Sequence, residues 1–221
     1  MKQITMQDLE LLMKRRMKPV SASSKTSNNT TQQINYDINS KPIEEILSAL
    51  SRNGHLLRHI DKQTTEMCLV AVRESSSSLK HCKIRTEEVF EAAIRRSYHC
   101  MVHITTEEQT PELCKFAVVM NPDAISVINN KTHELCLYAV KNSQTAIKHI
   151  TQTPELCLAS VEAFPESIEF IRDQTPELCE LAVSKSPLAI RLVHYQTKEL
   201  CLIAINLDRR SVVYFKQGIF K

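Results

Sequence analysis

A five-residue phrase, Thr-Pro-Glu-Leu-Cys, recurs along the chain, and its spacing constrains the fold more than any other feature. Complete copies end at Cys114, Cys157 and Cys179, and close or weaker variants end at the corresponding position of other segments. The eight resulting anchors are Ile46, Cys68, Phe90, Cys114, Cys136, Cys157, Cys179 and Cys201, with successive differences of 22, 22, 24, 22, 21, 22 and 22 residues. A fixed short period predicts a repeat architecture in which each unit packs on its neighbour. We number the repeats 1 to 8 and count positions from each anchor.

Each repeat carries signals for two short helices. A threonine four residues before the anchor, often followed by Pro and Glu, is typical of a helix start. The anchor, a small residue at +3 and an aliphatic residue at +4 share one helix face. Asn, Ser or Asp stands at +7 in seven of the eight repeats, and apolar residues return at +10, +11 and +14. The pattern therefore predicts that residues 42–216 are nearly all helical, with a helix break at each +7 residue.

The predicted fold is all-α, an α-solenoid of about eight short helix-turn-helix repeats. A leucine-rich-repeat horseshoe has a similar period of roughly 20–29 residues. It requires a strand with alternating apolar positions in every copy, whereas the spacing here is helical twice per repeat. Helix pairs are therefore favoured over strand-bearing repeats.

The sequence divides into three segments. Residues 1–18 resemble a short amphipathic helix, residues 19–41 a flexible polar linker, and residues 42–221 form the helical repeat domain. In the first segment, Leu9, Leu12 and Met13 share a side, and Arg15 and Arg16 follow near its end. This segment is predicted either to dock on a partner or to fold back onto the first repeat.

Cysteine and histidine take regular places in the repeat. All eight Cys stand at apolar positions, so they are predicted to be unpaired core residues rather than metal ligands or redox groups. A basic row at +12 and +13 is the candidate partner-binding surface, with a solvated row without a ligand as the alternative. Its members are Arg58, His59, Lys80, His81, His103, Lys148, His149 and Arg191.

Composition excludes several function classes. Two glycines cannot build a phosphate-binding loop, and a chain without Trp has few aromatic side chains on which bases could stack. Residues 1–40 hold 6 basic and 3 acidic side chains, whereas residues 41–221 hold 22 of each. We find no catalytic set, cofactor site or metal site, so the chain is predicted not to be an enzyme. No apolar run is long enough to span a membrane and no signal peptide is recognisable, which favours the cytoplasm.

One stretch is similar to a known repeat. The segments Glu134-Leu-Cys-Leu-Tyr-Ala-Val-Lys-Asn142 and Ala146-Ile-Lys-His-Ile150 resemble uncharacterised short helical repeats abundant in giant DNA viruses and also found in large phages and bacteria. The usual form of that repeat is Glu-Leu-Cys-x-x-Ala-Val-x-x-Asn-x-x-Ala-Leu-x-x-Val. The resemblance covers about residues 42–216 and implies a binding scaffold and a viral origin. It transfers no catalytic residue.

The expected function is a protein-interaction scaffold or adaptor acting on a host or viral protein. The alternative is an RNA- or DNA-binding repeat protein that uses the basic row. A second copy could also cover the apolar last repeat, which would make a homodimer. Gly218 is predicted to end that repeat, with Ile219 and Phe220 folding back over it.

Overall fold

The computed structural model describes residues 38–219, and all regular secondary structure in that range is helical. Each repeat contributes one α-helix of ten residues. The α-helices are α1 (Ile43–Arg52), α2 (Thr65–Glu74), α3 (Glu87–Arg96), α4 (Pro111–Met120), α5 (His133–Asn142), α6 (Pro154–Ala163), α7 (Pro176–Lys185) and α8 (Lys198–Leu207). The predicted all-α helical-repeat fold is therefore confirmed, and the strand-bearing alternative is wrong for these residues.

The second element of every repeat is a 3-10 helix. These helices cover Gly54–His59, Ser76–His81, Tyr98–His103, Pro122–Ser126, Ala146–His149, Pro165–Phe170, Pro187–Leu192 and Arg209–Tyr214, and a short one at Ile38–Ser40 precedes the first repeat. A 3-10 helix rises about 2.0 Å per residue against 1.5 Å for an α-helix, so a short segment spans more distance. Six residues of 3-10 helix can therefore lead the chain back along most of the length of a ten-residue α-helix, which is about 15 Å.

The starts and ends of the α-helices follow the predicted signals. The hydroxyls of Thr132, Thr153 and Thr175 each accept a hydrogen bond from the backbone N–H three residues later. Each α-helix ends before the +7 residue, which is extended at Ser143 and Ser186, for example, and whose N–H bonds to the +3 carbonyl. The predicted break at +7 is confirmed.

Consecutive repeats pack on one another within two compact units. The N-terminal unit ends at Met120 and contains α1 to α4, and the C-terminal unit begins at Asn121 and contains α5 to α8. Neighbouring α-helices are in contact throughout each unit, and so are the successive 3-10 helices of repeats 1 to 3 and of repeats 4 to 8. Each unit therefore buries its apolar faces between copies, which isolated helices this short require.

The core contains most of the predicted apolar positions. It also contains the residue directly before the anchor in seven repeats, which the sequence analysis did not identify: Met67, Val89, Leu113, Leu135, Leu156, Leu178 and Leu200. All eight cysteines are free and buried, which confirms that none is in a disulfide. In repeat 8, Ile203, Phe215 and Ile219 pack as partly buried residues on the last core cluster. Gly218 has φ of +90°, the left-handed conformation that turns Ile219 back as predicted.

Some sequence predictions lie outside the described residues. They concern the amphipathic segment 1–18 with Leu9, Leu12, Met13, Arg15 and Arg16, most of the linker 19–41, and the contact of Phe220.

Candidate functional site

Five of the eight residues of the predicted row lie in the N-terminal unit, on the last turns of three successive 3-10 helices. They are Arg58 and His59 from repeat 1, Lys80 and His81 from repeat 2, and His103 from repeat 3. These 3-10 helices contact one another in sequence order, so the five side chains lie along one face of the unit. From here on, the name basic row is restricted to these five residues.

Side chains of the basic row lie close enough to lower the pKa values of two of its histidines. Arg58 Nε donates to His59 Nε2 over 2.8 Å. Burial lowers the pKa of His81, and the charges of Lys80, His55, Arg58 and His103 lower it further. The pKa of His103 is lowered by burial and by the cations Lys80 and Arg85. Several positive groups thus converge, and an anion placed among them would relieve their repulsion.

His55 belongs beside this row, although sequence analysis did not identify it. Its ring lies edge-on to His81 with centroids 6.0 Å apart, and its Nε2 is 3.4 Å from Ser77 Oγ. His55 stands at +9, a position that is His only in repeats 1 and 3, so the repeat pattern gave no signal for it.

Side chains that hydrogen-bond to backbone hold the ends of these 3-10 helices and the residues that follow them. We call this held backbone the strip. In repeat 2, Gln63 Nε2 donates to the carbonyl oxygens of Leu57 (3.0 Å) and His81 (2.9 Å). Its Oε1 accepts from the backbone N–H of Lys83 over 2.7 Å. We call a residue in this role a clamp, because it ties its own repeat to the end of the preceding 3-10 helix. The same three types of bond recur at Gln152, Gln174 and Gln196.

Two other residue types take the clamp role next to the row. Arg85 reaches the carbonyls of Leu79 (3.5 Å) and His103 (2.6 Å). Asn39 donates to the carbonyl of His59 over 3.0 Å and accepts from a backbone N–H of the same loop. The backbone carbonyls of all three histidines in the row are therefore held by a side chain. Sequence signals for the clamp existed, since Gln directly precedes the repeated Thr in five repeats.

The row does not continue in the same form in the C-terminal unit. Lys148 Nζ lies 4.6 Å from the centroid of the Phe170 ring, which is a cation–π geometry. The +12 residue of repeat 6 is Glu169, which separates Lys148 from the exposed Arg191. Only repeats 1 to 3 carry cations or histidine at these positions in successive copies, because serine, acidic or apolar residues stand at +12 and +13 in repeats 4, 6 and 8.

His149 instead lines a groove of about 740 Å³ in the C-terminal unit. Ile150, Leu158 and Leu178 supply apolar walls. Polar groups of both signs line the remainder: Lys131, His149, Arg172, Asp173 and Glu177. The groove lies at the 21-residue step between repeats 5 and 6, where one residue instead of two separates the +14 residue Ile150 from the clamp Gln152. Ile150 is consequently only half-buried.

Other chemistry has little support in the described part of the chain. Across residues 38–219, no cluster of three or more His, Cys, Asp or Glu side chains is arranged to hold a metal ion. Burial raises the pKa of six of the thiols, which makes them poor nucleophiles. These are Cys100, Cys114, Cys136, Cys157, Cys179 and Cys201. None of the helices in 38–219 combines the length and the apolar character required to cross a bilayer.

Comparison of the chain with protein-family models, with curated proteins and with solved structures finds no match.

Proposed function

We propose that this protein is a protein-interaction scaffold whose N-terminal unit binds an acidic segment of a partner along the basic row. One observation carries the proposal: five basic or titratable side chains converge on a backbone strip held by clamp residues. Since the strip is fixed before binding, little conformational entropy is lost when a partner is bound.

The size of the row suggests the kind of segment it accepts. Packed helical elements lie about 8–10 Å apart, so three repeats extend over about 20 Å. An extended peptide covers about 3.3–3.6 Å per residue, so six or seven residues would match the row. A peptide with several Asp or Glu residues would place carboxylates opposite Arg58, Lys80 and the histidines.

Nucleic acid is the second candidate, because phosphates also suit Arg and Lys side chains. Residues 41–221 carry 22 basic and 22 acidic side chains, whereas a dedicated nucleic-acid binder presents a basic excess. We therefore favour an acidic protein segment and expect any nucleic-acid binding to be weak and to depend on residues 1–40.

Anisotropy of a fluorescent Glu-rich heptapeptide, at two salt concentrations, tests the proposal. We expect Arg58→Glu with Lys80→Glu to weaken binding at least tenfold. The control pair Arg52→Glu with Arg73→Glu makes the same charge change at exposed positions on α1 and α2 and should have little effect. Equal losses in both double variants would refute a specific row, and tight, sequence-selective binding of RNA by 41–221 would favour the second candidate.

The same proposal includes a non-enzymatic role in the cytoplasm, in a host cell if the viral resemblance holds.

We also propose a homodimer that forms through repeat 8, because this repeat exposes the apolar residues Leu202, Leu207 and, at 74%, Val213. Light scattering of Val213→Glu, with Val102→Glu as the control in the other unit, tests it. A wild-type monomer at high micromolar concentration would contradict the homodimer.

A further inference from the structure

Repeat 2 is unusual in carrying cysteine at both the anchor, Cys68, and the +14 position, Cys82. The +14 residue is aliphatic or aromatic in every other repeat: Ile60, Ile104, Ile128, Ile150, Ile171, Val193 and Phe215. In repeat 7 the corresponding residues, Cys179 and Val193, belong to one buried cluster. Since the repeats share this packing, the substitution at +14 places a second thiol next to the anchor thiol.

The contacts in repeat 2 establish that the two sulfurs are neighbours. Each of the two thiols lies close enough to the other to shift its pKa. Cys68 Sγ also lies 3.5 Å from Oε1 of the clamp Gln63. The same oxygen accepts a hydrogen bond from the backbone N–H of Lys83, which directly follows Cys82. Cys82 Sγ lies 3.7 Å from the carbonyl oxygen of Ser78. The thiols thus meet between α2 and the end of its 3-10 helix.

The pair differs electronically from the other six cysteines. Hydrogen bonding from the Cys82 thiol lowers the pKa of Cys68, and the backbone N–H of Ile84 lowers it further, against the effect of burial. The same hydrogen bond and burial raise the pKa of Cys82. Cys68 therefore has more thiolate character than the six thiols whose pKa is raised, chiefly by burial.

We propose that Cys68 and Cys82 form a thiol modification site that a hydroperoxide converts into an intramolecular disulfide. One thiolate attacks the peroxide oxygen and becomes a sulfenic acid, with release of water or an alcohol. The second sulfur then displaces water from the sulfenic acid, which forms the S–S bond. Two thiols lose two electrons in total, and the peroxide accepts both.

The burial of the pair sets the conditions of the reaction. Cys68 is fully buried and Cys82 is 6% exposed, so the peroxide must enter when the end of the 3-10 helix opens. The bond would then fasten this helix, which carries Lys80 and His81, to α2. The modification does not depend on what the basic row binds, so its test is independent of the proposed function.

The test uses native full-length protein and hydrogen peroxide. After treatment, free thiols are alkylated, the protein is digested without reduction, and linked peptides are identified by mass spectrometry. We expect a 68–82 link, the loss of two of eight thiols, and a rate for this pair at least tenfold above that of the other six. A rise in the urea midpoint that reductant reverses should accompany the link.

Two matched variants distinguish the pair from a general effect of removing a cysteine. Cys82→Ile places the residue found at +14 in repeats 1 and 3 and should abolish the link with the fold retained. Cys179→Ala removes an anchor thiol elsewhere and should leave the link intact. The proposal is overturned if the folded wild type yields no 68–82 peptide, or if the six other thiols oxidise as fast.

Discussion

At the residue scale, the clamps connect repeats through polar contacts that the apolar pattern does not reveal. Gln174 Nε2 donates to the carbonyls of Ile168 (2.8 Å) and Leu192 (3.2 Å), and its Oε1 accepts from His194 N (2.8 Å). One half-buried side chain thus satisfies three backbone groups that lie 6, 18 and 20 residues away.

We expect Gln174→Ala to destabilise the C-terminal unit by about 2–3 kcal/mol, since each lost hydrogen bond contributes about 1 kcal/mol. Urea unfolding followed by far-UV circular dichroism measures the change. Gln217→Ala, at an exposed position of the terminal turn, is the control and should change stability by less than about 0.5 kcal/mol. Similar losses in both variants would contradict the clamp role.

Arg85 allows the clamp to be separated from an ion pair, because it also bonds both oxygens of Glu108 at 2.6 and 2.7 Å. Arg85→Gln should retain a clamp and lose the ion pair, at a cost of about 1–2 kcal/mol, and Arg85→Ala should cost more because both functions are lost. Urea unfolding at pH 7 compares them, and equal costs would mean that Gln cannot replace Arg as the clamp.

The ion pair also makes a prediction about acid. Hydrogen bonds from Arg85, together with the backbone N–H of Thr105, lower the pKa of Glu108 to about 2. A carboxylate with a depressed folded-state pKa stabilises fully above its unfolded pKa of about 4.3, and this stabilisation is lost as pH falls through about 2. The difference in stability between wild type and Arg85→Gln should therefore shrink between pH 5 and pH 2.5. A constant difference over that range would contradict this assignment.

The sequence predicted the anchor, +3 and +4 positions of the core but not the clamps, for a physical reason. Anchor, +3 and +4 positions lie on one helix face, so helical periodicity alone identifies them. The partners of a clamp lie in another repeat, at distances that no local periodicity encodes. Asn39 and Arg85 also fill the role with different chemistry, so the regularity of the Gln-Thr pair is interrupted in the N-terminal unit, where the basic row lies.

At the scale of the element, the sequence predicted where the second helix starts in seven of the eight repeats, but not its type. In repeat 5 the 3-10 helix begins later, at Ala146 after Thr145. Asn, Ser and Asp cap both kinds of helix, and proline suits the first turn of either. The choice of 3-10 geometry follows from the few residues available between +7 and +14 and from the distance that they cover. The row depends on this choice, because each 3-10 helix places its +12 and +13 residues at the end of the turn.

Gly54 shows how closely these elements approach. A Cβ atom at this position would lie 2.3 Å from the Ala71 carbonyl oxygen and 2.7 Å from Ser78 Oγ. Gly54→Ala should therefore push the 3-10 helix of repeat 1, Gly54–His59, away from α2. We expect it to destabilise the N-terminal unit by about 2 kcal/mol or more. Gly218→Ala has no atom within 4 Å but keeps a strained positive φ, so its cost should be about 1 kcal/mol. Urea unfolding ranks the two, and the reverse order would contradict this packing.

At the scale of the whole molecule, residues 41–221 carry equal numbers of basic and acidic side chains, so their local arrangement decides what can bind. The N-terminal unit concentrates cations and histidines on one face, whereas the C-terminal unit has a groove lined by both signs. The basic row was predictable from the period because its members recur at +12 and +13. The groove was not, since a step one residue shorter between repeats 5 and 6 does not by itself indicate an open space.

The histidines of the row should make anion binding depend on pH. Burial and neighbouring cations lower the pKa of His81 and of His103 in the free protein. A bound acidic peptide would raise both pKa values, so binding should take up protons and tighten by about 3- to 10-fold from pH 7.5 to 5.5. Anisotropy titrations at the two pH values measure this. His81→Gln with His103→Gln should largely remove the pH dependence, and His133→Gln, in the C-terminal unit, should leave it unchanged.

Fold stability should respond to pH in the opposite direction, which separates the two effects. A histidine with a depressed folded-state pKa binds fewer protons in the folded than in the unfolded protein below about pH 6.5. Its contribution to the free energy of unfolding therefore falls as pH drops, and the double His→Gln variant should lose less stability than wild type between pH 7.5 and 5.5. Tighter binding at pH 5.5 by a less stable protein cannot result from better folding. Binding that weakens at pH 5.5 in parallel with stability would show that the row does not face the bound anion.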